Sequence, residues 1–224
     1  MKPVDTLSIF NKLASDYWLT DYLSFGWTHY MRKKSISLLN IQPNEIVCDA
    51  MCGTANNYKL LAQKNCLVIA IDNAECMINI AKTENKNNHL QLILEDFLKN
   101  NIPDKSIDKL ICTFGLKSLR EVDFLPFISQ INRILKSNGT FVLAEFYIKK
   151  EAFFRIPILL YIKFIVPFLN YLCTHKNPHR YLYDFTAETF NLSLFCHYLS
   201  MKNIEYKIHY TGLQQGIILQ GKVA

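Results

Sequence analysis

The sequence predicts an α/β fold built on a doubly wound parallel sheet, and three observations carry that reading. Apolar, β-branched runs alternate with stretches of helical periodicity through residues 46–146. The first run, Ile46-Val47-Cys48, stops on Asp49 and turns through Met51-Cys52-Gly53-Thr54, an acidic strand end followed by a tight glycine turn. The second, Leu67-Val68-Ile69-Ala70-Ile71, stops on Asp72, about 20 residues later, where such sheets place a carboxylate on the ribose hydroxyls of a nucleotide-like cofactor.

The elements follow in order. Residues 6–40 read as a helical cap, with Leu7, Phe10, Leu13 and Tyr17 at helical spacing and a second series from Trp27 through Met31, Ile36 and Leu39. Pro43-Asn44 breaks the chain before strand one at 46–49. Helix 56–63, strand 67–71, helix 74–85, strand 90–94, strand 109–113 and helix 122–135 come next. Lys136-Ser137-Asn138-Gly139 reads as a glycine-terminated helix stop, and Thr140 to Glu145 as strand five. The tail, 204–221, is a hairpin of two strand-like runs about Thr211-Gly212 that finishes the sheet.

After strand five the composition changes. Phe153 to Cys173 is nearly all apolar, interrupted by Arg155, Pro157, Lys163 and Pro167, with Lys149, Lys150, His175, Lys176, His179 and Arg180 at its flanks. Its length suits a membrane span, but two charges and two prolines would be costly in a lipid-exposed helix. A helical flap over the core and an amphipathic substrate cap resting on a membrane surface both fit, and a second subunit could cover it instead.

With 224 residues, 50% of them hydrophobic, the chain can bury one substantial core, and it reads as a single domain. The net charge of +6 favours contact with something anionic, but no basic stripe interleaved with aromatics supports a nucleic-acid surface. Seven cysteines without a C-x-x-C pair indicate buried thiols in a reducing cytoplasm, not a disulfide or zinc framework. No secretory signal is visible at Met1-Lys2-Pro3-Val4-Asp5. His175 and His179 stand at i,i+4, but Pro178 between them interrupts a regular helix and no acid or cysteine completes a ligand set, so no metal held by protein ligands alone is expected, and one bridging substrate and carboxylates stays open.

Ligands of an open parallel sheet lie outside the carboxyl ends of its strands. Those positions here are Asp49 to Asn56, Asp72-Asn73, Glu95-Asp96-Phe97, Thr113 to Ser118, and Glu145. Acids at three successive strand ends disfavour a pyrophosphate and suit a cofactor with a sulfonium, an amino group and ribose hydroxyls.

Asp49-x-x-Cys52-Gly53-Thr54, Asp72, Glu95-Asp96, Ile102 to Asp108, Phe114-Gly115-Leu116, Ile134 to Gly139 and Glu145-Phe146 together resemble a class I S-adenosylmethionine (SAM) methyltransferase. More narrowly, with Phe10 to Tyr17, Leu23 to Gly26 and Arg180-Tyr181-Leu182, almost the whole chain is similar to the ubiquinone/menaquinone biosynthesis C-methyltransferase family. The resemblance implies a seven-stranded Rossmann-like sheet with an N-terminal helical cap (6–40), a core (46–146), an apolar helical insertion after strand five that serves as substrate cap (150–200), and a C-terminal hairpin (204–221). It implies SAM as cofactor and a hydrophobic small molecule, such as a quinone or phenol, as acceptor.

Carried over residue by residue, Gly53 would admit the methionine part of SAM, Asp72 would hold the ribose, Asp96 with Phe97 would meet the adenine, and Tyr17 would close over it. Asp49, Cys52, Asn73, Glu95, Thr113 and Phe114 complete the implied cofactor set. Lys117 is the implied phenolate-stabilising group, with Arg180 and Tyr181 on the substrate side. Two departures stand out. Ala55 replaces a second glycine, so its loop must keep φ negative or carry strain. Gly115-Leu116-Lys117-Ser118 replaces the family's Gly-Leu-Arg-Asn, and lysine is not equivalent to arginine. With the Tyr181-Leu182-x-x-Phe185-Thr186 segment, the second departure also resembles the rhodoquinone-biosynthesis branch, which implies transfer of an amino group in place of a methyl.

Overall fold

The computed structural model describes residues 6–14, 18–149, 153–174, 183, 190–212 and 215–224. Three helices come first: α1 (Thr6–Leu13), α2 (Leu19–Leu23) and α3 (Trp27–Leu39). Gly26 before α3 and Asn40 after it both take left-handed backbone, with φ of 75° and 49°, and so set the ends of that helix. Then follow β1 (Ile46–Ala50), a short α4 (Tyr58–Leu61), β2 (Leu67–Asp72), α5 (Glu75–Glu84), β3 (Leu90–Leu94), β4 (Ile107–Thr113), α6 (Phe124–Ile134) and β5 (Leu135–Phe146). Helix α7 (Arg155–Leu160) continues through a π-helical turn (Tyr161–Ile165) into α8 (Val166–Thr174), and α9 (Leu192–Met201) precedes β6 (Glu205–Thr211) and β7 (Gly216–Lys222).

The strands make one seven-stranded sheet in the order β3-β2-β1-β4-β5-β7-β6. The first five are parallel, and β7 enters antiparallel between β5 and β6. Winding runs outward from β1 to β3 and then returns to start again at β4. The crevice at the carboxyl ends of β1 and β4 is therefore the switch point of the sheet.

Period-two alternation builds a core on each face. Cys48, Leu110, Cys112, Phe141 and Leu143 point to the side covered by α6 and α9, where Phe124, Phe127, Ile131 and Phe195 pack. Val47, Val68, Ile111, Val142 and Ile218 point to the other side, beneath Met31, Ile36 and Leu39 of α3. Burial on both faces explains why the central strands β1 and β2 read as nearly continuous apolar runs.

Two local expectations differ from the structure. The helix expected over 56–63 is α-helical only at Tyr58–Leu61, with a 3-10 turn at Ala62–Lys64, because the loop after β1 remains irregular as far as Asn57. At 136–139 the chain makes a bulge inside β5: Ile107 pairs with Leu135, and pairing resumes with Lys109 opposite Thr140. Asn138, not Gly139, holds the left-handed conformation there, with φ 63°. Gly139 is needed for space, since a Cβ would lie 2.8 Å from the Lys136 carbonyl oxygen.

Candidate active site

A cavity of about 380 Å³ opens at the switch point, walled by residues that follow β1, β2, β3 and β4 and by α1 and α3. The loop after β1 is wound by left-handed residues at alternate positions, Met51 (φ 52°), Gly53 (φ 55°) and Ala55 (φ 57°). It is tied to β2, because the Cys52 N–H donates to the Ile71 carbonyl at 3.0 Å and the Gly53 N–H to Asp72 Oδ2 at 2.8 Å. A Cβ on Gly53 would meet nothing nearer than Met77 Sδ at 4.0 Å. The room above that glycine belongs to the cavity, so a side chain there would be strained and would intrude on a ligand. Ala55 does not keep φ negative: it is buried in left-handed backbone, a conformation that costs an L-residue roughly 1–2 kcal/mol.

Three acids define the electrostatics. Asp72 stands in the wall with Oδ1 accepting from the Ala74 N–H at 2.9 Å and Oδ2 from Gly53, so its carboxylate is oriented before any ligand arrives. Burial nevertheless pushes its pKa above the ordinary carboxylate range. Asp96 caps the 3-10 turn Phe97–Lys99 by accepting from the Leu98 N–H at 2.9 Å, and it also lines the cavity. Capping and cavity lining therefore coexist in one side chain. Asp49 lies outside the wall and is completely buried, with Oδ1 accepting from Asn57 Nδ2 at 2.9 Å. Its Oδ2 has no hydrogen-bond partner among the described residues. Desolvation pushes its pKa up to about 7, against the opposing pull of Asn57 and Arg32.

Glu95, the fourth predicted acid, turns away from the cavity: its oxygens accept from the backbone and side-chain amide of Asn101, both at 3.0 Å. Lys117 likewise stands outside the wall. Its backbone N–H donates to Glu145 Oε2 at 3.2 Å and its ammonium lies 5.5 Å from the centre of the Phe146 ring. Glu145 is buried, and desolvation raises its pKa although the Lys117 charge pulls it down.

Cys52, Gly53, Asp72, Asn73, Asp96, Phe97, Thr113 and Phe114 are thus gathered in one wall, and Asp49, Glu95 and Lys117 are not. Tyr17, Arg180 and Tyr181 lie outside the described residues. The structure adds groups that the sequence reading passed over. Arg32 of α3 is 3% exposed yet lines the cavity, paired through Nη1 with Asp21 Oδ1 at 2.7 Å and placed 5.3 Å from the centre of the Phe114 ring. Asp21 is held in turn by the Thr28 hydroxyl. Asn57 bridges Asp49 to Thr113, reaching Thr113 Oγ1 at 3.1 Å. Arg120 and Asp123, joined at 2.8 and 3.0 Å, line the far side with Leu119. Arg32 shares the buried face of α3 with Thr28, Met31, Ser35 and Ile36, a placement that by itself does not mark a site.

The model of the ubiE/COQ5 methyltransferase family matches residues 2–220. The chain belongs to that family. It is 26% identical over 182 residues to a demethylmenaquinone methyltransferase of Corynebacterium glutamicum, covering 81% of this chain and 76% of that one. A demethylmenaquinone methyltransferase of Staphylococcus saprophyticus is 27% identical over 184 residues, with coverage of 80% and 78%. Among solved structures, a SAM-dependent methyltransferase of Aquifex aeolicus superposes with a TM-score of 0.62 at 14% identity, covering 86% of this chain and 89% of that one. The ubiE/COQ5 chain is therefore a SAM-dependent methyltransferase with a class I sheet.

The residues present fit SAM. The open space over Gly53 admits a ligand against the backbone, and Asp72 offers its remaining lone pairs to hydroxyls.

Proposed function

We propose that the ubiE/COQ5 chain methylates the ring of a quinol or related phenol that carries an apolar tail. One observation carries the reading. The same wall that holds Gly53, Asp72 and Asp96 continues into Leu7, Phe10, Met51, Phe114 and Leu119, a lining that suits a hydroxyl-bearing cofactor beside an apolar ring. The demethylmenaquinone methyltransferases among its relatives agree with an acceptor of this class.

When bound, SAM supplies an electrophilic methyl group on a sulfonium. The protein's part is orientation, charge and exclusion of water. Asp72 would receive the ribose hydroxyls, Asp96 and Phe97 the adenine, and Gly53 the methionine backbone. Arg32, whose guanidinium is shared with Asp21 on one nitrogen only among the described contacts, would take the methionine carboxylate. Lys117, with Arg180 and Tyr181, is proposed to steady the acceptor's phenolate. Its ammonium lies over the Phe146 ring and near Glu145, and its backbone adjoins Ser118 of the wall.

The test is incubation of the purified protein with SAM and a panel of short-chain demethylated quinols, with mass spectrometry of cofactor and quinone products. S-adenosylhomocysteine together with a quinone that has gained one methyl supports the reading. Exchange of a methoxy for an amino group without S-adenosylhomocysteine overturns it in favour of amino transfer, with the Lys117 departure as its marker.

A further inference from the structure

The long apolar helix after β5 is neither a core helix nor a wall of the cavity. Residues 155–172 have a mean hydropathy of 1.4, yet only 17% of them are buried. None of the residues 153–174 lines the cavity. The buried stripe is narrow: Ile162 and Val166 face inward, Val166 packs on Leu19 and Leu23 of α2, and the Tyr161 hydroxyl donates to the Leu23 carbonyl at 2.9 Å. A water-facing helix should be polar on its opposite side. This one presents Ile156 (70% exposed), Phe164 (58%) and Phe168 (59%) there.

Helix α2 and the turn after it extend the same character. Phe25 is 84% exposed and its ring meets that of Tyr161 at 5.8 Å. Trp18 and Tyr22, themselves more than half exposed, stack edge to face at 5.7 Å. Scattered apolar residues on a surface are ordinary, but a joined aromatic face of this kind marks an interaction site.

Charge decides the occupant. Residues 153–174 contain Arg155 and Lys163 and no acid. A symmetric dimer through this face would set like charges against each other. A membrane span would have to detach the stripe from α2 and bury Lys163 near mid-bilayer. A helix lying flat, with aromatics in the acyl boundary and lysine and arginine at the headgroups, meets neither cost. We propose that the face formed by residues 153–172, Trp18, Tyr22 and Phe25 is a docking surface for an anionic lipid bilayer.

The experiment is flotation of the full chain with phosphatidylcholine vesicles made with or without phosphatidylglycerol, beside size-exclusion chromatography without lipid. The expected result is partition onto the anionic vesicles that weakens with salt, and quenching of Trp18 fluorescence by brominated acyl chains in a Trp27→Phe background. Phe164→Ser and Phe168→Ser should each lower partition about tenfold, the loss of roughly half the burial energy of one phenylalanine. Lys163→Glu should weaken binding to the anionic vesicles alone. Since Phe164 and Phe168 touch mainly solvent, circular dichroism and melting temperature should not move. Absence of partition on both vesicles overturns the proposal, as does partition that the variants leave unchanged. Dimerisation abolished by Phe164→Ser assigns the face to a second copy and also overturns it. None of these readouts depends on which acceptor is methylated.

Discussion

The buried Asp49 carries the sharpest prediction. Its carboxyl is pushed up to about 7 by desolvation, whereas the unfolded chain ionises it near the ordinary value of 3.8. Between those values the folded state holds a proton that the unfolded state has released, so stability falls as pH rises from about 4 to about 7 and is flat above. Three units at about 1.4 kcal/mol each set an upper bound of about 4 kcal/mol, and relaxation around a buried charge reduces it to about 2–4 kcal/mol. Asp49→Asn keeps an acceptor for Asn57 and removes the titration. Its advantage over the natural chain should already be about 1 kcal/mol at pH 4.5, where the unfolded chain has largely ionised, and should rise to about 2–4 kcal/mol by pH 7.5. Carboxyls held below their ordinary range, Glu95 by Asn101 and Asp123 by Arg120, act below about pH 4 and do not share this window. Glu145, which burial also raises, contributes with the same sign to both proteins and cancels in the difference, whereas Asp72, whose charge helps to raise Asp49, cancels only in part. Urea unfolding followed by tryptophan fluorescence at intervals from pH 4.5 to 8 measures it. Parallel stability curves for the two proteins would refute the reasoning.

Arg32→Gln should weaken SAM and S-adenosylhomocysteine equally, about ten- to a hundredfold, the value of one charge-assisted hydrogen bond. A decarboxylated SAM should bind the variant and the natural chain alike, and a loss there would remove Arg32 from the carboxylate. Ala55→Gly relieves about 1–2 kcal/mol of backbone strain but loses a buried methyl worth about 0.8 kcal/mol and gains unfolded-state entropy worth about 0.4–1 kcal/mol. The melting temperature should therefore barely change. Ala144→Gly in β5, buried without a positive φ, should lower it clearly; equal losses at the two positions would show that Ala55 stores no strain.

The centre of the sheet was legible because β1, β2 and the inner parts of β4 and β5 are buried against both faces, which leaves an apolar run in each. The loop chemistry was legible in part. Gly53, Asp72 and Asp96 follow directly from strand ends, since a residue after a strand has little freedom in where it points. Asp49 was placed at the right end of β1 but one layer too shallow, because the last residues of a strand alternate between sheet faces and sequence does not show how the next loop folds over them. Lys117 falls outside the wall because its orientation depends on Glu145 and Phe146, which lie a strand away. Arg32 was unreadable for the same reason: a charged residue on an apolar helix face signals a site only once Asp21, Phe114 and the cavity are known to converge on it.

The most direct test of the account is calorimetric titration of SAM into the natural chain and into Asp72→Ala, with melting curves as the control for folding. The account predicts one SAM bound per chain, and affinity at least about tenfold weaker in the variant, because the ribose acceptor and the tether on Gly53 are lost together. Equal affinity in the two folded proteins would place SAM elsewhere and contradict the assignment of the cavity.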